Sequence, residues 1–362
     1  VDDSLGELQN IAARYRRSLN IPVLAITGSN GKTTTKELIS TVLSKRFRVH
    51  ATTGNLNNHI GVPLTLLSAP ANTEFLLVEM GANHVGEINR LCEISNPTYG
   101  IITNIGRAHL DGFGSVEGIT KAKSELYKYL SANGGVALYN NENKILNDLI
   151  GSIGVKSYPY NRPANSHISI SKITNDPALS LIIRVEDKTH TIKTYLFGEQ
   201  NIENILAAVA CGIYFDIEMP EIIEALAAYK PDNNRSQITT TSDNIVICDA
   251  YNANPTSMQA AIQSFIAIGK SPKTLILGDM LELGEYADKE HLEIVSKLSG
   301  YNDLTVILVG PIFSKISQDF GFLTFPDVYE LAEYLSVSPI KDSFVLVKGS
   351  RGIKLETIYP QL

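Results

Sequence analysis

The stretch V-L-A-I-T-G-S-N-G-K-T-T-T-K, Val23 to Lys36, decides the fold class. Val23, Leu24, Ala25 and Ile26 form an apolar run of strand length, and Thr27 to Gly31 form a turn of small residues. From Lys32 onward, Leu38, Ile39, Val42 and Leu43 recur at helical spacing. A strand, a glycine-bearing turn and a helix in that order make an anion site. Glycines let the backbone approach, loop N–H groups point at the anion, and the helix dipole favours negative charge there. In such a site Lys32 reaches the β- and γ-phosphates of a nucleotide and the Thr33 hydroxyl binds Mg²⁺. Gly28, Ser29, Asn30, Gly31 and Thr34 complete the loop. The usual spacing has a further glycine five residues before Gly31, and here that residue is Ile26. A plain strand-turn-helix corner is the competing reading, but a corner alone has no use for Gly-Lys-Thr-Thr.

At 362 residues the chain is too long for one ordinary core and points to two or three domains. Its 44% hydrophobic and 19% charged residues are a globular composition without a disorder signature. A net charge of -7 argues against nucleic-acid binding as the main activity. Cys92, Cys211 and Cys248 are far apart, so a reduced, cytoplasmic protein is expected. No apolar run approaches the roughly 20 residues of a membrane helix. The start, V-D-D-S-L-G-E-L, lacks the basic and apolar regions of a signal peptide and begins inside an amphipathic pattern.

Residues 3 to 18 read as a helix leading into the Val23 strand. The segment from Thr53 to Pro63 is polar, and Asn55, Asn57 and Asn58 in so short a space suit either a ligand contact or loop caps. Phe75 to Val78 is a second buried strand that delivers Glu79 at its carboxyl end, where ligands of open α/β sheets bind. Tyr99 to Thr103 is a third, followed by N-I-G-R-A-H-L with His109. The helix from about Val116 to Leu130 carries Lys121 and Lys123, and Val136 to Tyr139 is a further strand. From His167 to Phe197 the pattern alternates, predicting antiparallel strands that form a β-rich flap. A helix over Ile205 to Tyr214 follows, and Tyr229 to Asn234 reads as an interdomain linker.

Beyond the linker the strand-helix rhythm restarts, with strands at Ile245 to Cys248, Thr274 to Leu277, Leu304 to Val309 and Phe344 to Val347. This is a second, mostly parallel α/β domain. Polar clusters sit at its strand ends: D-A-Y-N-A-N-P from Asp249, G-D-M-L-E-L-G from Gly278, and K-G-S-R from Lys348. Two α/β domains with facing strand-end loops imply a cleft that closes. The expected organisation is therefore a leading helix at 1–20, a central P-loop domain at 21–233 that binds ATP and a Rossmann-like domain at 234–362.

Taken together, these motifs resemble the Mur ligase family, the ATP-dependent amide-forming enzymes of peptidoglycan precursor synthesis. T-G-S-N-G-K-T-T is similar to that family's own phosphate loop, which also lacks the first glycine. N-L-N-N-H-I-G-V-P-L-T, E-M-G-A-N, A-K-S-E, G-E-Q-N-I-E-N, D-A-Y-N-A-N-P, L-G-D-M-L-E-L-G-E and V-K-G-S-R follow in the family's order. D-A-Y-N-A-N-P and L-G-D-M-L-E-L-G-E resemble the branch that adds D-Ala-D-Ala to UDP-MurNAc-tripeptide. The chain resembles the central and C-terminal parts of such an enzyme, with only the exit helix of its small first domain.

The resemblance implies residue roles. Lys32 and the loop stabilise the phosphates of ATP, while Thr33 and Glu79 hold one Mg²⁺. His109 is implied as ligand of a second Mg²⁺, supported by Lys123 as a carbamate. Asn204 and Arg235 would contact the nucleotide from the first domain, and Asp249 and Asn252 from the second. Asn57 and Asn58 are assigned to substrate. Lys348 and Arg351 would orient the carboxylate of the incoming dipeptide or the acyl phosphate. A monomer is expected, with no nucleic-acid or membrane partner. Three other readings stay open: a folylpolyglutamate synthase-like ligase, a P-loop kinase, and a nucleotide-gated binding module without turnover.

Overall fold

The computed structural model describes residues 3–107, 110–161 and 168–362. Helix α1 (Ser4–Leu19) leads into β1 (Val23–Thr27), and α2 (Lys32–Leu43) leaves the loop that follows it. The first domain continues through β2 (Val49–Ala51), α3 (Gly61–Leu67), β3 (Phe75–Glu79), α4 (Glu87–Ser95) and β4 (Tyr99–Ile102). Then come α5 (Leu110–Phe113), α6 (Val116–Ala132), β5 (Val136–Asn140), α7 (Lys144–Ile153) and β6 (Lys156–Tyr160). These six strands form one parallel sheet in the order β2-β3-β1-β4-β5-β6. The order reverses at β1, which lies between β3 and β4. That switch point opens a crevice at the strands' carboxyl ends, where the phosphate loop sits.

The apolar runs read as strands because both faces of the sheet are covered. Leu24 and Ile26 face a core that includes Leu38, Ile39 and Leu206, whereas Val23 and Ala25 face one that includes Ile88, Leu126 and Tyr127. Alternation along β1 thus sends neighbouring side chains into opposite layers.

The expected antiparallel flap is present as β7 (Ile168–Asn175), β8 (Ala178–Val185) and β9 (Lys188–Phe197), turning at Glu186 with φ of 53°. Its inward residues Leu179, Leu181, Ile183 and Ile192 join the first domain's core. The flap is also a bridge. Helices α8 (Ile202–Tyr214) and α9 (Met219–Ala228) follow it, and β10 (Gln237–Thr240) then pairs with both β9 and β11 (Ile245–Asp249). One nine-stranded sheet therefore runs from the flap into the second domain, in the order β14-β13-β12-β15-β11-β10-β9-β8-β7.

The second domain is built from β11, α10 (Pro255–Ile266), β12 (Lys273–Gly278), α11 (Ala287–Leu298), β13 (Leu304–Val309) and α12 (Pro311–Ile316). It closes with β14 (Leu323–Phe325), α13 (Val328–Val337) and β15 (Phe344–Lys348). From β11 to β14 the pairing is parallel, with β15 inserted between β11 and β12. Among the described residues no helix is long and apolar enough to cross a membrane.

Candidate active site

The loop between β1 and α2 is shaped by two glycines. Gly28 has φ of 143°, and a Cβ there would lie 2.0 Å from Thr103 Oγ1. Gly31 has φ of 79°, and its Cβ would meet Asn204 Oδ1 at 2.4 Å. Only glycine suits such backbone at such distances. Asn204 is buried behind the loop, accepting from Thr35 Oγ1 at 2.9 Å and donating to Asn201 Oδ1 at 2.9 Å. It lines the cavity beside the loop and also braces the turn that shapes it.

Lys32 Nζ folds back onto the carbonyls of Gly28 (2.8 Å) and Ser29 (3.3 Å). Burial pulls its pKa below the ordinary lysine value, the Glu79 carboxylate opposes that, and the Arg235 cation adds to it. Lys32 and Arg235 thus bring two cations to one site, with Glu79 and Glu282 only partly offsetting them, an arrangement that an incoming phosphate relaxes.

Glu79 ends β3 and is buried. Its Oε1 accepts from Asn57 Nδ2 at 2.8 Å, so Asn57 positions the carboxylate. Its Oε2 is buried and has no hydrogen-bond partner among the described residues. A buried, unpaired carboxylate oxygen beside a phosphate loop is a hard ligand short of a cation, and Mg²⁺ fits it. Asn58 plays a different part. Its Oδ1 accepts from the N–H groups of Ile60 (3.0 Å) and Gly61 (2.9 Å) where α3 begins.

Lys123 is 2% exposed on α6, and its ammonium lies 5.5 Å from the centre of the Phe113 ring. It makes no hydrogen bond or ion pair among the described residues. Burial first, and the Lys32 cation second, push its pKa down to about 7, with Glu87 and Glu125 opposing. Glu125 is itself engaged, accepting from the N–H groups of Gly86 (2.6 Å) and Asn89 (2.9 Å). A large share of the amine is therefore unprotonated near neutral pH. His109 lies outside the described residues.

The second domain supplies the opposite wall of a cavity of about 880 Å³. Asp249, Asn252 and Lys348 line it from the strand ends. Lys348, however, is buried and pairs with Asp249 Oδ2 at 2.7 Å, while Asp249 Oδ1 accepts from Ser236 N at 3.0 Å. Both groups expected to meet ligands are thus engaged with each other. Arg351 is exposed and does not line the cavity; its guanidinium lies 5.1 Å from the ring centre of Tyr251, which does.

Sequence reasoning missed Tyr251. The Arg235 guanidinium stacks 3.6 Å from its ring centre, and Arg235 Nε is buried without a hydrogen-bond partner among the described residues. Asn234 and Ser236, on either side of Arg235, have φ of 56° and 52°. The linker is pinned to the phosphate-loop helix by Glu37, which accepts from Tyr229 Oη (2.5 Å) and Asn233 Nδ2 (2.9 Å). Also missed were two contacts that join the domains, Asn254 to Asn30 and Arg107 to Glu290. No local pattern marks them, because each joins residues far apart in the chain.

A phosphate loop, a strand-end carboxylate with a free buried oxygen and a second α/β domain across the cleft define a two-domain nucleotide-dependent enzyme. Family comparison makes this specific. Residues 26–212 match the Mur ligase middle domain and residues 234–351 the Mur ligase glutamate ligase domain, and the chain belongs to the Mur ligase family. It is 37% identical to the UDP-N-acetylmuramoyl-tripeptide–D-alanyl-D-alanine ligase of Bacillus subtilis, over 100% of this chain and 80% of that protein. Crystal structure I of MurF from Acinetobacter baumannii superposes with a TM-score of 0.90 at 29% identity, covering 100% of this chain and 81% of that one. MurF from Thermotoga maritima, solved in complex with ADP, gives 0.89 at 25% identity, with 100% and 84% covered.

Proposed function

We propose that this chain is an ATP-dependent, ADP-forming peptide ligase that adds D-Ala-D-Ala to UDP-MurNAc-tripeptide in peptidoglycan precursor synthesis. The observation that carries this reading is the free buried oxygen of Glu79. Glu79 and the loop of Lys32 line one cavity, whose other wall comes from a second α/β domain. A kinase has no need of that second wall, and the likeness to D-Ala-D-Ala ligases covers the whole chain.

A carboxylate is a poor electrophile, so its oxygen first attacks the γ-phosphorus of ATP and ADP departs, leaving an acyl phosphate. The dipeptide's free amine then attacks the acyl carbon; the carbon–oxygen bond to phosphate breaks, and inorganic phosphate leaves with the amide formed. The chain's part is positioning and charge neutralisation. Lys32, Arg235 and the loop N–H groups hold the transferring phosphate, and Asn204 keeps the loop in shape. Thr33 and Glu79 hold the Mg²⁺, which offsets phosphate charge when bound. A second metal position would use His109 and Lys123 as its carbamate. The low pKa of Lys123 supports the carbamate, since only the unprotonated amine adds to CO₂. Asn57 acts through Glu79, and Asn58 shapes the loop beside the substrate. Asp249, Asn252 and Lys348 contribute the far wall of the nucleotide site, and Arg351, carried on Tyr251, meets the dipeptide's carboxylate. That one chain supplies both walls supports a monomer as the working unit, and its nucleotide substrates support a cytoplasmic location.

The test is phosphate release with ATP, Mg²⁺ and UDP-MurNAc-tripeptide, with and without D-Ala-D-Ala. Release that requires the dipeptide supports the reading. Equal release without it counts against a ligase, and a stable phosphorylated product points to a kinase.

A further inference from the structure

We propose that Asn254 is a positioning residue through which the second domain orients the side chain of Asn30 in the phosphate loop. The inference rests on the ligase reading above. Asn254 caps α10: its Oδ1 accepts from Ser257 N at 2.9 Å, and its N–H donates to Ser257 Oγ at 3.1 Å. This capping box commits the amide oxygen to the helix. The Nδ2 group therefore points outward, and it donates to Asn30 Oδ1 at 2.7 Å.

Asn30 is held by two different domains. Its backbone belongs to the first: its N–H donates to Asn104 Oδ1 (3.0 Å), and its carbonyl accepts from Thr103 Oγ1 (2.6 Å) and Asn104 Nδ2 (3.2 Å). Its side chain takes its bond from the second. With Oδ1 accepting from Asn254, the amide of Asn30 keeps two N–H donors for the cavity it lines. The opposite amide orientation would turn an oxygen toward the phosphates.

The contact is part of a docked interface. Thr256, two residues on, accepts from Arg107 N at 3.3 Å, and Arg107 pairs with Glu290 of α11 at 3.1 Å. The start of α10 is thus seated on the loops that follow β1 and β4. Docking of the domain that meets the dipeptide also completes the phosphate loop. Attack of the carboxylate on ATP is thereby tied to a closed, water-excluding cleft.

The experiment is a double-mutant cycle with N254S, N30A and the pair, read on kcat for dipeptide-dependent phosphate release and on the Kd for ATP. Serine caps helices as well as asparagine does, but one hydroxyl cannot both cap α10 and reach Asn30. Each single substitution is expected to lower kcat by about tenfold or more. The double variant is expected to be no worse than the weaker single, with KM for the dipeptide unchanged. N254D, which keeps a cap but sets an acceptor against Asn30 Oδ1, is expected to fall at least as far as N254S. N254S and N254D within twofold of wild type, or losses that multiply in the double variant, overturn the proposal. Wild-type protein without dipeptide-dependent turnover counts against the ligase reading instead, and the cycle on ATP affinity still tests Asn254. Should N254S fail to fold, N254D and N30A carry the test.

Discussion

Lys348 and Asp249 are partners in register across the parallel strands β15 and β11, and their side chains meet at 2.7 Å with 3% and 13% exposure. The motifs around them lead one to expect each to meet a ligand, yet the pair first neutralises itself. Removing one member strands the other's charge in a low-dielectric setting.

Lys348→Met is therefore expected to destabilise the fold by about 3 kcal/mol, the lower end for breaking a buried pair because Asp249 keeps some exposure. Lys348→Met with Asp249→Asn is expected to recover much of that loss. Urea unfolding of wild type and both variants checks it. Equal stability of Lys348→Met and wild type contradicts the pairing.

Lys32→Ala and Glu79→Gln are expected to lower turnover by about a hundredfold or more through lost charge stabilisation. The circular dichroism spectrum should be unchanged, since a glutamine side chain at position 79 can still accept from Asn57. For Glu79→Gln the Mg²⁺ concentration giving half-maximal rate should also rise. A Glu79→Gln variant with near-normal kcat and Mg²⁺ dependence removes Glu79 from the metal site.

The pairing of Arg235 with Tyr251 separates ring from hydroxyl. Tyr251→Phe keeps the ring face and is expected to stay close to wild type, whereas Tyr251→Ala is expected to lose about thirtyfold in kcat/KM, the scale of a desolvated cation–π contact. Equal effects from both substitutions would assign Tyr251 a role through its hydroxyl.

Lys123 links pH to activity and to stability. Its amine carries a proton below about pH 7 and is free above it. Activity at pH 8 is therefore expected to fall when CO₂ is stripped and to return with bicarbonate, while at pH 6 bicarbonate should do little. In the unfolded chain the same amine returns to its ordinary 10.5 and binds a proton that the folded chain lacks between about 7 and 10.5. Stability from this group therefore rises with pH across that window. Lys123→Met is expected to remove that slope, raise Tm at pH 7, and abolish the bicarbonate response. Wild-type activity indifferent to CO₂ at pH 8 contradicts the carbamate.

What the sequence made legible were features with a local cause. The run Val23 to Ile26, the glycines at 28 and 31, and Glu79 at a strand's end are fixed by burial, backbone freedom and sheet geometry within a few residues. The alternation from Ile168 to Phe197 shows one buried face, so the flap was legible too. Short or half-buried elements were not: β2 has three partly exposed residues, and the threonine-rich β10 has no apolar run, yet β10 joins the flap to the second sheet. Long-range pairings were hidden as well. Nothing near Lys348 reveals that Asp249 neutralises it, and nothing near Asn254 points to Asn30. The motif of Arg351 suggests a place in the cleft, but the residue follows β15 on an exposed turn and reaches the site only through Tyr251.

The most direct test of the acyl-phosphate route uses tripeptide substrate carrying ¹⁸O in its terminal carboxylate. One ¹⁸O is expected in each phosphate released when D-Ala-D-Ala is ligated, because the attacking oxygen stays on phosphorus when the amine displaces it. Unlabelled phosphate accompanying the ligated product would contradict the acyl phosphate, and with it the roles given to Lys32 and Glu79.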